Sequence, residues 1–174
     1  MKEEYDVAGV DFSTRAPRTE EMIGILRKLW GPGPVEHRGR FFDFPSTHNV
    51  PRPEQPIPIY IGAFVPRALR RAGRIGDGWM AAPGTVEELA AAIAIIDEAR
   101  READRDRERF EVFAGLKRKL DGSLPGRDDF QRAEDAGVTA AKFGPFEHML
   151  GEPYVSMDDK RRLIEGFAER VLVA

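Results

Sequence analysis

PIPIYIGAFVPRALRRAGRIGDGWM, residues Pro56–Met80, decides how the rest of the chain is read. Ile57, Ile59, Tyr60 and Ile61 form an apolar run of the kind carried by a strand buried on both faces. Gly62 ends the run, and Pro66 stands where a helix would begin, its fixed φ suited to the first helical position. Ala68, Leu69, Ala72 and Ile75 recur at helical spacing, with Arg67, Arg70, Arg71 and Arg74 on the opposite face. Gly76 stops that helix, and Gly78-Trp79-Met80-Ala81 reads as a second short buried strand. Strand, helix and strand in this order predict a parallel βαβ unit.

Downstream the alternation continues. Thr85 with Glu88 matches a capping box, and Leu89, Ala92, Ile93, Ile96 and Ala103 mark a long amphipathic helix. Arg100–Arg109 is a mixed-sign run, read as the solvated helix end and the loop after it. Phe110–Leu116 is the third strand, Asp128–Ala136 a short helix stopped by Gly137, and Val138–Phe143 the fourth strand. After a loop over Gly144–Pro153, Ser156 with Asp159 opens the last helix, with the stripe Leu163, Ile164, Phe167 and Val171. Residues 57–174 thus hold four strand–helix units of roughly 30 residues, the usual size of a βα crossover.

Upstream, residues 1–16 read as irregular. Thr19 or Ser13 caps a helix whose stripe is Met22, Ile23, Leu26, Leu29 and Trp30, and Gly31-Pro32-Gly33-Pro34 ends it. Val35–His37 and Arg40–Phe44 predict a hairpin turning at Arg38-Gly39. Five prolines between Pro45 and Pro58 make an extended connection. The expected organisation is one domain over 1–174, with residues 1–56 leading into the four units of 57–174.

Composition bounds the function. With 41% hydrophobic and 33% charged residues the chain is an ordinary globular sequence, and its net charge of −3 gives no reason to expect nucleic acid or an anionic membrane. The four arginines of the Pro66–Ile75 segment lack the interleaved aromatics of a nucleic-acid surface and read as an outer helix face. There is no cysteine, which excludes disulfides, thiol catalysis and thiolate metal sites. Nothing near Met1 reads as a signal peptide or membrane span, so a cytoplasmic location is expected.

The turn Gly62-Ala63-Phe64-Val65 is the best candidate for a ligand contact. A strand-to-helix turn aims backbone N–H groups and the positive helix end at one spot, which suits a phosphate. Arg67, in the first helical turn, is placed to reach it. A plain connecting turn is the alternative. Asp77 reads as turn-forming and Trp79 as core. His37, His48 and His148 share no metal-ligand spacing and read as surface residues, with Glu147-His148 the only pair fit for an acid–base test. No P-loop, GxGxxG, GxSxG or zinc motif is present.

Pro58–Trp79, PIYIGAFVPRALRRAGRIGDGW, resembles the signature of the bacterial-luciferase-like monooxygenases. Gly9–Phe44 resembles the helix and hairpin that precede that signature, and SMDDKRRLIEGFAERV at Ser156–Val171 resembles the family's last helix. The resemblance spans nearly the whole chain and corresponds to the second half of a typical member. It implies an α/β fold, the C-terminal half of a luciferase-like (β/α)8 barrel, with about four parallel βα units preceded by a helix and a hairpin. It implies an oxidoreductase or monooxygenase working on a small organic substrate with FMN or the deazaflavin F420. The family turn is Gly-Gly-x-Ser or similar and holds the cofactor phosphate; here Ala63 and Val65 replace the second glycine and the hydroxyl residue. The family's reactive-face groups come largely from its first half, so no catalytic residue carries over. Without that half, the alternative is a non-catalytic flavin-binding or structural half-barrel. Ile57–Gly62 and Val138–Phe143, first and last in the strand series, are then expected as open edges, closed in a homodimer or by a complementing N-terminal half-barrel.

Overall fold

The computed structural model describes residues 2–144, 146, 151 and 154–172, arranged as two compact units, Met1–Ile59 and Tyr60–Ala174. Within the first unit, helix α1 (Lys2–Val7) and a 3-10 turn at Phe12–Thr14 occupy the stretch expected to be irregular. The Asp11 carboxylate accepts the Ser13 amide at 2.9 Å and starts that turn. Helix α2 (Arg15–Leu29) follows without a side-chain cap, so neither Ser13 nor Thr19 caps it; the Thr19 hydroxyl donates to Arg15 O inside the helix. Ile23 and Ile25 are its buried residues, whereas Met22, counted in the expected stripe, is exposed.

Strands β1 (Val35–Arg38) and β2 (Asp43–Thr47) pair antiparallel, which moves the turn to residues 39–42. One carboxylate organises it. Glu21 on α2 accepts the amides of Phe41 and Phe42 at 3.1 and 3.0 Å, and His37 Nε2 lies 2.9 Å from it. His37 is therefore a held, mostly enclosed residue and not a surface one. The Arg18 guanidinium stacks over Phe41 and Phe42, and a Cβ at Gly39 would collide with the Glu21 carboxylate.

The second unit is a four-stranded parallel sheet in the order β3 (Tyr60–Gly62), β4 (Gly78–Met80), β5 (Glu111–Ala114), β6 (Ala140–Ala141). Helices α3 (Pro66–Ile75), α4 (Val86–Glu102) and α5 (Arg127–Asp135) connect the strands. Helix α6 (Met157–Phe167) comes after β6 and ends in a π-helical turn, Ala168–Leu172. Four βα units in parallel succession are the α/β architecture expected from the sequence. The strands are shorter than the apolar runs suggest: Ile57 and Ile59 precede β3, and β3 buries one face only, through Ile61.

The core lies between the sheet and its helices, built on Ile61, Trp79 and Val112, which share one register row, with Leu69, Leu89, Ile93 and Ile96 from the helices. Strand alternation sends Tyr60, Gly78 and Glu111 to the other face. There the Tyr60 hydroxyl donates to Glu111 across Gly78, and a Cβ at Gly78 would lie 2.5 Å from the Tyr60 ring. Helices α3 and α4 touch so closely that a Cβ at Gly73 would meet Ile96 O at 2.5 Å. Arg100, assigned from the sequence to a solvated run, is only 7% exposed. Its guanidinium donates to the carbonyls of Arg105 and Glu108 at 2.9 and 2.6 Å and lies over the Phe110 ring, fixing the loop into β5.

Candidate functional site

The carboxyl ends of β3, β4 and β5 lead into α3, α4 and α5, and the candidate turn is the first of these. Ala63 is 2% exposed and belongs to the core, so its methyl faces inward and leaves the outer side of the turn clear. The Trp79 indole N–H donates to Ala63 O at 3.0 Å and fixes the turn from beneath. Trp79 is thus core, as expected, with a second role the sequence did not announce. Gly62 faces open space, since the nearest atom to an added Cβ is Met80 O at 3.9 Å. Phe64 and Val65 are 74% and 56% exposed, and Arg67 is also exposed.

Helix starts differ along this rim. At α4, Thr85 accepts the Glu88 amide while Glu88 accepts the Thr85 amide at 2.9 Å and the Lys117 ammonium at 2.8 Å. The lysine, then the Thr85 amide, hold the Glu88 carboxyl below its usual range. At α5, the Asp129 carboxylate accepts the Gly126 amide at 2.8 Å and pairs with Lys119 at 2.7 Å. Burial pushes Asp129 upward, but Lys119 and the Gly126 amide outweigh it and leave it below the usual range. At α6, Ser156 and Asp159 form a capping box. Helix α3 has no side-chain cap: Val65 is its N-cap, and Pro66 brings no N–H. Its positive end is therefore open toward solvent, with Arg67 beside it.

The remaining sequence candidates separate from this turn. Arg70 is committed to Glu98 and Glu102 of α4 at 2.6 and 3.0 Å, as an outer-face arginine would be. Asp77 sits at the opposite end of the sheet, where its carbonyl accepts the Glu111 amide and its carboxylate lies 3.6 Å from Arg105. Glu147 and His148 lie outside the described residues. Among the described residues, no three His, Asp or Glu side chains cluster as a metal site, and no helix is long and apolar enough to cross a membrane.

Residues 1–120 match the family model of the luciferase-like monooxygenases. The chain belongs to the luciferase-like monooxygenase family. An uncharacterized protein of Mycobacterium tuberculosis is 38% identical over 171 residues, 98% of this chain and 57% of the relative. An F420-dependent glucose-6-phosphate dehydrogenase of Amycolatopsis mediterranei is 37% identical over 79 residues, 45% of this chain and 24% of that enzyme. The F420-dependent tetrahydromethanopterin reductase of Methanopyrus kandleri superposes with a TM-score of 0.72 at 17% identity, covering 99% of this chain and 71% of that one. At that identity the superposition establishes the luciferase-like fold. The chain spans little more than half the length of the mycobacterial relative, and the sheet among its described residues has four strands, where a closed (β/α)8 barrel has eight.

Proposed function

We propose that this chain supplies the cofactor-binding wall of a luciferase-like oxidoreductase, with Gly62, Ala63, Phe64, Val65 and Arg67 receiving the phosphate-bearing part of coenzyme F420. The reading rests on the N-terminus of α3, which lacks the side-chain cap that each of α4, α5 and α6 carries or receives from a carboxylate. An uncapped helix start with a cation in its first turn fits a phosphate. Gly62 leaves room for close approach, and exposed Phe64 and Val65 offer an apolar surface to the organic part of the ligand. F420 is preferred to FMN because the dehydrogenase relative and the reductase of similar fold are F420-dependent by name.

When bound, such a cofactor supplies the hydride chemistry for a small organic substrate, and the protein supplies position and electrostatics. The α3 dipole and Arg67 hold the anionic end, while Trp79 keeps the turn at a fixed height through Ala63 O. Strands β3 and β6 end the sheet order, so completion of the barrel by a second copy or by a complementing half-barrel belongs to the same reading. The isolated monomer is then a cofactor binder without turnover. The rival reading, a structural half-barrel, predicts no specific cofactor affinity.

Titrating the purified protein with F420 and with FMN, followed by cofactor fluorescence, tests this. F420 binding well below millimolar Kd, weakened about tenfold in Arg67→Ala, is the expected result. Absence of binding to either cofactor, or affinity indifferent to Arg67, rejects the phosphate reading. Light scattering on the same samples reports whether two copies associate.

A further inference from the structure

A second cation stands at the carboxyl mouth of this sheet, and it comes from the far edge strand. Lys142 follows β6, and its amide donates to Ala114 O at 2.8 Å, continuing the ladder by one residue. Strand alternation sets its side chain on the same face as Phe113 and Ala140, opposite the helix-covered core. A lysine there has a simple explanation as an edge protector with its ammonium in water. The side chain does something else. It runs back across the end of β5, and its Nζ lies 3.4 Å from Ala81 O at the end of β4.

Gly115 lies beside this path. A Cβ there would lie 3.2 Å from Lys142 O and 3.7 Å from Lys142 Cε, so the two strand ends approach closely at Gly115 and the lysine stem passes within van der Waals range of it. Lys142 is half-buried in consequence. Ala81 O takes at most one of the three ammonium donors, and 3.4 Å exceeds an ordinary N–H···O bond. The neighbouring cations are engaged differently: Lys117 with Glu88 at 2.8 Å and Lys119 with Asp129 at 2.7 Å. Glu88 and Asp129 are thereby occupied at the helix starts. On the same face of β4, Met80 is 39% exposed. Phe64, in the turn that follows β3, is 74% exposed.

We propose that Lys142 is a substrate-binding residue, its ammonium receiving the oxyanion of an amphiphilic acid whose apolar part lies on Met80 and Phe64. The site shares the mouth with the cofactor turn and so rests on the reading above for its catalytic meaning, but the binding event is separable. Hexanoate, with hexanol as its uncharged counterpart, probes it in the full chain. The readouts are the Lys142 Cε–Hε NMR signal and the amides of Gly115 and Phe64. Hexanoate is expected to shift all three and hexanol the Phe64 amide alone. Lys142→Met, which keeps the stem and removes the charge, is expected to weaken hexanoate about tenfold, and Lys142→Arg to retain most of the affinity. Amide spectra unchanged away from the mouth certify both folds. Hexanoate that leaves the Lys142 signal unmoved, or binds Lys142→Met as well as the parent, overturns the proposal. F420 titration of the same variants separates the two readings: F420 binding that depends on Arg67 beside a silent Lys142 rejects this inference alone. A responsive Lys142 in a protein that binds neither F420 nor FMN rejects the cofactor reading alone.

Discussion

The two ends of the four-stranded sheet are built from similar residues and used differently. At the amino end, polar side chains tie neighbouring loops and strands together. Arg100 holds the carbonyls of the loop into β5, Arg105 donates to Arg74 O at 2.9 Å and pairs with Glu108, and Thr139 accepts the Val112 amide at 2.9 Å. Tyr60 and Arg109 converge on Glu111. At the carboxyl end, the middle of the rim is equally firm, since Gly84 and Leu116 bridge β4 to β5 and Glu88 ties Thr85 to Lys117. The two flanks differ from this middle among the described residues: the Phe64-Val65 turn faces solvent on one side, and Lys142 reaches inward from the other. The amino end is tied by side-chain hydrogen bonds and the carboxyl end carries the candidate turn, which matches the division a βα barrel makes between stability and chemistry.

The sharpest way to break this comparison is Arg100→Met, which keeps the packing over Phe110 and removes the donors. With partly buried carbonyls of the loop left without their donor, unfolding free energy is expected to fall by about 2 kcal/mol in urea denaturation. A loss below about 0.5 kcal/mol means that the loop into β5 is held by something else. Next comes Val65→Ser, which gives α3 the kind of cap its neighbours have. Stability is expected to rise by about 1 kcal/mol, read as a higher Tm, because an open helix end has been closed. The Ala68 and Leu69 amides already donate to Val65 O at 2.8 and 3.0 Å, so an unchanged Tm shows that a serine hydroxyl adds nothing to that bonding, and the contrast between helix starts then disappears.

The smallest effect is one of pH. The Tyr60 hydroxyl, bonded to Glu111, holds that carboxyl below the usual range, and the same bond holds the Tyr60 phenol above its own. A depressed carboxyl stabilises the fold above its unfolded value and loses that contribution as pH falls through the folded one. A raised phenol stabilises below its unfolded value and loses that contribution as pH rises through the folded one. Tyr60→Phe is therefore expected to shallow the stability profile at both limbs, seen by repeating the denaturation from acid to strongly alkaline pH. Profiles of identical shape for parent and variant contradict the pairing.

Local signals explain what was legible. Thr85 with Glu88, Ser156 with Asp159, Pro66 and Gly137 each act within one helical turn, so the helix starts and stops follow from neighbouring residues. Strand limits did not follow, because apolarity reports burial whereas a strand ends where its partner's ladder ends. Val138–Phe143 is mostly apolar, broken by Thr139 and Lys142, yet only Ala140–Ala141 pair as β6. Helix α1 is polar and buries nothing, which left no stripe to find. Arg100 lies in a run of charges whose average is solvated, and its own burial depends on carbonyls five to eight residues on. In the site, the turn before Pro66 was visible because strand, turn and helix are contiguous. Lys142 was not, since its reach toward Ala81 O depends on how three strands distant in sequence lie side by side.

The contact of Gly73 with the backbone at Ile96 bears on how such a chain can diversify. It works as a keyway, cut to a width that admits no methyl group, so the slot between α3 and α4 tolerates almost no spelling but its own. The letters at 64, 65 and 67 press on nothing in the core and are free to vary. A lineage built on this frame can rewrite its ligand at the head of α3 while the shaft beneath stays fixed, and a library randomised at those three positions would inherit a folded scaffold in nearly every member.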